Sequence, residues 1–120
     1  VVAAVSSDSL RAVARAFYHG AISRGDLAAF AERLIELAPK HDTAREIVLG
    51  GAVALVSDAL LCAKRLRLKH PRAAFVGGLL HSHFFSSAID AALAEAAPAL
   101  RRTQPAGEPA AGALLLAVRG

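Results

Sequence analysis

The stretch Ala73-Ala-Phe-Val-Gly-Gly-Leu-Leu-His-Ser-His-Phe-Phe85 decides how the rest of the chain is organised. Ala73-Ala74-Phe75-Val76 is a short unbroken apolar run, the pattern of a strand buried on both faces. Gly77-Gly78 closes it. Ser82 is placed to cap a helix whose apolar face holds Phe85, Ile89, Leu93 and Ala97 before Pro98. Ala99 to Thr103 predicts a second strand, set at an edge by Arg101-Arg102. Strand, helix and strand in that order imply a parallel pair joined by a right-handed crossover. Two strands do not make a stable sheet alone, so further strands are expected from outside the chain.

Upstream the pattern is helical. Ser6-Ser7-Asp8 precedes Leu10, Val13 and Phe17, which predicts a capped helix from near Asp8 to Tyr18. Gly20 and Gly25 punctuate the next connection. Asp26 then opens a helix carrying Leu27, Phe30, Leu34 and Leu37, and Pro39 ends it. Asp42 is placed to cap the longest helix, which His70-Pro71 should stop. One stripe of that helix runs through Val48, Ala52, Leu55, Ala59, Cys62 and Leu66. A second runs through Val53, Val56, Leu60 and Ala63, so burial on two sides is expected. Gly50-Gly51 inside it costs roughly 1 kcal/mol per glycine relative to alanine, which close helix contact would offset. After a Pro- and Gly-rich loop from Gln104 to Pro109, Ala110 to Val118 predicts a small, very apolar closing helix.

With 120 residues, 55% of them hydrophobic, the chain suits one domain and is too apolar for a disordered tail. A chain that starts at Val1 rather than Met is expected to be part of something longer, so residues 1–120 read as a single partial domain. No unbroken apolar run reaches the roughly 18 residues that span a bilayer, and VVAAVSSDSL lacks the basic start of a secretory signal. No membrane partner is expected. The single Cys62 excludes an internal disulfide and fits a reducing, cytoplasmic setting. The net charge of +4, from 14 Lys+Arg against 10 Asp+Glu, favours anionic ligands without specifying nucleic acid.

Two explanations compete for the glycine pair and the histidines beyond it. A tight glycine turn between a buried strand and a helix lets a nucleotide or phosphate approach the main chain. Ligands of open α/β sheets bind beyond the carboxyl ends of strands, where Gly77-Gly78 would sit. Glycines at strand ends are also ordinary turns. The metal explanation is weaker: His81 and His83, two apart on a helix, point about 200° from each other. Only Asp90 is near enough in sequence to be a third ligand.

The run FVGGLLHSHFFSSAIDAALAEAAPALRRTQPAGEPAAGALLLA resembles the C-terminal end of the BadF/BadG/BcrA/BcrD-type ATPase family. That family includes N-acetylglucosamine kinases and belongs to the actin/hexokinase-like superfamily. The likeness rests on Phe75-Val76-Gly77-Gly78, on Pro98, and on Pro109-Ala110-Ala111-Gly112-Ala113 through Leu116-Ala117. Upstream, Tyr18-His19-Gly20 and HDTAREIV resemble the family's Tyr-containing turn and its Gly-Asp-x-x-Ala-x-x-Ile helix start, with His41 in place of the glycine. The resemblance implies an α/β fold: the helix-rich C-terminal part of an actin/hexokinase-like (ribonuclease H-like) ATPase domain, with two or so short strands. It implies ATP and Mg2+ as cofactors, an amino-sugar substrate, and adenosine bordered by Gly77, Gly78 and Leu79. It implies also that Gly112-Ala113 lets the last helix pack closely on the sheet.

The family's phosphate-binding Asp-Gly-Gly-Gly-Thr turn is nowhere in the chain, nor is a match to its catalytic Asp. Asp8, Asp26, Asp42, Asp58 and Asp90 read as helix caps or solvated faces, so no catalytic residue is assigned and Mg2+ ligands are expected elsewhere. The missing N-terminal half is an expected partner, and a homodimer is compatible with exposed apolar faces. Within the family, the ATPase activators of acyl-CoA reductases and dehydratases are the alternative to a sugar kinase. They use a cysteine-held cluster, and a lone Cys62 mid-helix fits a core thiol better. A helical interaction module that binds no nucleotide is the third reading. Arg24-Gly25-Asp26 spells an adhesion tripeptide but reads as a turn before a helix. The Lys64 to Lys69 cluster has no interleaved aromatic and reads as a solvated helix end rather than a nucleic-acid site.

Overall fold

The structure, a computed structural model, describes residues 10–120. The predicted caps at Ser6, Ser7 and Asp8 lie outside the described residues. The described residues form two compact units, one ending at Leu49 and the other starting at Gly50, with the boundary inside the longest helix.

The first unit holds α1 (Leu10–Tyr18), α2 (Arg24–Leu37) and the start of α3 (Asp42–Arg65). Asp26 does not open α2. Ser23 caps it, accepting from the Asp26 amide at 3.0 Å, while the Asp26 carboxylate accepts from the Ser23 amide at 2.8 Å. This reciprocal capping box satisfies two amides that the helix itself leaves unpaired. It also places Arg24-Gly25-Asp26 in the first turn of a helix, with the carboxylate already engaged. Ser23→Ala is expected to cost about 1 kcal/mol, read as a lower urea midpoint at unchanged slope. Asp42, predicted to cap α3, is its first helical residue; His41 stands before it and accepts from the Arg45 amide at 2.9 Å. The Arg45 side chain turns back to donate to the carbonyls of Ala38 and Pro39, at 3.1 and 2.9 Å. Ile22, Ile35, Ala38, Ala44 and Val48 are buried.

The second unit holds the rest of α3, β1 (Arg72–Ala73), a 3-10 turn (Gly78–His81), α4 (His83–Ala96), β2 (Arg101–Arg102) and α5 (Pro109–Arg119). β1 and β2 pair in parallel, Arg72 opposite Arg101 and Ala73 opposite Arg102. The Arg101 amide donates to Pro71 O at 3.0 Å and the Thr103 amide to Ala73 O at 2.9 Å. The strand–helix–strand order expected from sequence is therefore present, helix-rich and with two short strands. Each strand is shorter than predicted: Phe75 and Val76 leave the ladder, and Val76 is half exposed. Ser82 caps α4 as predicted, accepting from the Phe85 amide at 3.2 Å. Phe85, Ile89, Leu93 and Ala97 are all buried, as that helix's periodicity predicts.

Five further expectations are corrected. α3 is not buried on two sides. Its buried positions, Ala44, Val48, Ala52, Val56 and Ala63, follow mainly the i+4 drift of one face, whereas Leu55 is 42% and Leu66 69% exposed. Cys62, expected in the core, is exposed, and a Cβ on Gly50 or Gly51 would meet nothing within 4 Å. The helix ends at Arg65, before His70-Pro71. Arg67 turns left-handed at φ 55°, and the Leu68 amide reaches back to Ala63 O at 3.2 Å, as in a Schellman cap. Last, α5 packs on no sheet. Every residue of it is exposed, Leu116 at 72%, and nothing lies within 4 Å of a Cβ on Gly112.

α3 is also largely exposed. It contains an 18-residue window of mean hydropathy 1.9 of which only 22% is buried. By length and composition alone this helix is apolar enough to cross a membrane, although Asp58 interrupts the apolar run. A carboxylate near the middle of a span costs roughly 3 kcal/mol on insertion scales.

Candidate functional site

The 3-10 turn sets the shape of the region beyond β1. Gly77 sits at φ 129°, ψ 164°, a conformation open essentially to glycine alone. Its carbonyl accepts from the Leu80 amide at 3.1 Å, and Leu79 O accepts from the Ser82 amide at 3.1 Å. Two tight steps thus carry the chain from the strand into the capped start of α4. Gly78 has no left-handed requirement. A Cβ built on either glycine meets nothing within 4 Å, so both face open space.

That space is a cleft of about 470 Å³, within the range of small-molecule sites. Phe75, Gly77, Gly78 and Leu80 line one side, all after the carboxyl end of β1, and Gln104 and Pro105 follow β2 on the other. A position beyond the carboxyl ends of parallel strands is where ligands of open α/β sheets bind. Of the three residues expected to border a nucleoside, Gly77 and Gly78 line the cleft. Leu79 does not; Leu80 takes that place.

Arg102 fixes one wall. Its guanidinium donates to Ser86 O at 3.1 Å and to the Asp90 carboxylate at 2.9 Å, and it lies 5.8 Å from the centre of the Phe75 ring. The Asp90 pair joins β2 to α4, and the Arg102 side chain is only 20% exposed. Phe75 is therefore covered by a cation anchored to α4 through two bonds, an arrangement that stiffens the mouth of the cleft. Sequence reasoning treated Arg102 as an edge charge and Asp90 as a solvated face. The parallel register supplies the missing signal: it turns Arg102 toward α4 and Arg101 away. His81 lines the cleft and His83 does not. Among the described residues no group of three His, Cys, Asp or Glu stands together to hold a metal ion.

The chain matches no known protein family, no curated protein and no solved structure.

Proposed function

We propose that this chain supplies the adenosine side of the ATP site in an ATP-dependent amino-sugar kinase of the BadF/BadG/BcrA/BcrD type, with an actin/hexokinase-like fold and a cytoplasmic setting. The observation that carries the reading is the bare Gly77-Gly78 main chain, facing an open cleft past the carboxyl ends of two parallel strands. A nucleoside needs a flat approach to backbone, and side chains at these two positions would prevent it. Polar groups around the opening, Gln104, Glu108 and His81, are of the kind that orient a base or ribose. Mg2+ accompanies ATP through its phosphates and needs only one or two carboxylates from the protein; none in this chain is assigned to it.

The activator reading is disfavoured by Cys62, the only cysteine in the chain, which supplies at most one thiolate to a cluster. The interaction-module reading draws on the apolar exposed surface of α5, which also suits a homodimer or another part of the same enzyme. Retention of the intact protein on ATP-agarose, with elution by free ATP, is expected. Absence of ATP binding would remove both nucleotide readings and leave the module. The chain by itself is expected to produce no ADP above background from ATP and amino sugars, and turnover would show that it carries a catalytic residue of its own.

A further inference from the structure

We propose that the second unit carries another ligand site, for a soluble phosphate-bearing anion, built from Lys69, His70, Arg72 and Arg101. The cleft described above lies at the carboxyl ends of the strands; this site lies at their amino ends. There a concave region of about 600 Å³ is lined by those four residues with Pro71 and Ala99. The register places Arg72 directly opposite Arg101, so both side chains leave the same face of the strand pair. Ala73 and Arg102, the next pair, face the other way, as the bonds of Arg102 to Ser86 and Asp90 require. Arg72 and Arg101 are exposed on the face away from α4.

Like charges directly opposite on neighbouring strands repel. Here three obligate cations and a histidine share one hollow, no carboxylate lines it, and none of the four takes part in an ion pair among the described residues. Basic residues on a sheet edge deter strand pairing, which accounts for a charge on each strand. It does not account for cations converging on a hollow without a counter-charge. A dianion does. Two arginine forks match phosphate oxygens in pairs, and Lys69 adds a point charge beside them. The ladder uses Pro71 O for the Arg101 amide, and Pro71 has no amide of its own to leave unpaired.

The test is calorimetric titration of the intact protein with sodium pyrophosphate at fixed ionic strength, with sodium chloride as the control. Saturable binding is expected. Arg72→Ala and Arg101→Ala should each weaken it about tenfold, whereas Arg119→Ala, equally exposed on α5, should change it less than about twofold. Both arginines are exposed, so the variants should retain the parent's far-UV circular dichroism; Arg101→Gln provides an independent substitution. Absence of saturable binding up to roughly 10 mM pyrophosphate overturns the site, and so does an equal loss from Arg119→Ala, which would mark diffuse polyanion attraction. Binding to anionic vesicles or to an oligonucleotide, with none to pyrophosphate, overturns it as well. Gly78→Trp should leave pyrophosphate binding intact, so this site and the nucleotide cleft fail independently.

Discussion

Gly78→Trp is expected to reduce ATP-agarose retention to background while leaving the fold in place. Gly78 is the first residue of the 3-10 turn and has no left-handed backbone to lose. Beyond its chain neighbours nothing lies within 4 Å of where its Cβ would grow, and Gly78 lines the cleft, so an indole added there is expected to occupy cleft space. Its neighbour behaves differently. Gly77 at φ 129° and ψ 164° occupies a region where a side chain costs about 1–3 kcal/mol whatever space surrounds it. Gly77→Ala should therefore lower the unfolding midpoint, and Gly78→Ala should not. His83 does not line the cleft, so His83→Ala should keep full retention. Equal retention by Gly78→Trp and the parent protein would mean that nucleotide does not rest on this main chain.

The elements with strong local signals were legible before the structure. Ser82 and the Phe85-Ile89-Leu93-Ala97 face determine α4 by capping chemistry and a 3.6-residue period, both short-range effects. The parallel pairing of the two strands followed from their order around that helix. What stayed hidden depended on distant partners. The two apolar stripes of α3 look equivalent in sequence, and each is covered only in part: Val48 and Ala52 of the first and Val56 and Ala63 of the second are buried, whereas Leu55 and Val53 are exposed. Cys62, Leu55 and Leu66 consequently stand exposed where periodicity alone predicts a core. The early end of α3 turns on Arg67 entering a left-handed conformation, which propensity assigns to glycine or asparagine. At the site, the glycines announced themselves through their missing side chains. Arg102 and Asp90 did not, because their partnership spans twelve residues and needs the strand register to become visible.

Ile89→Ala is expected to cause the largest loss of stability, about 2–5 kcal/mol. Ile89 is fully buried on α4, among Phe85, Ala88, Ala92 and Leu93. Many of its buried companions in the second unit are alanines, which offer little reach with which to refill the void. A unit of this length is stable by roughly 4–10 kcal/mol, so the change removes a large share of the total. Ile89→Val, which deletes one methyl group, should cost about 0.5–1.5 kcal/mol. Leu115→Ala on α5 removes more apolar atoms than that, yet from a 59% exposed side chain. It should stay within about 0.5 kcal/mol of the parent. Urea unfolding followed by circular dichroism distinguishes the three. The same helix carries Ser86 and Asp90, which hold Arg102 over Phe75. Ile89→Ala should therefore weaken ATP retention at temperatures where the protein is still folded, and Leu115→Ala should not. A Leu115→Ala loss exceeding that of Ile89→Ala would place the core under α5 instead, and would detach the cleft wall from the support of α4.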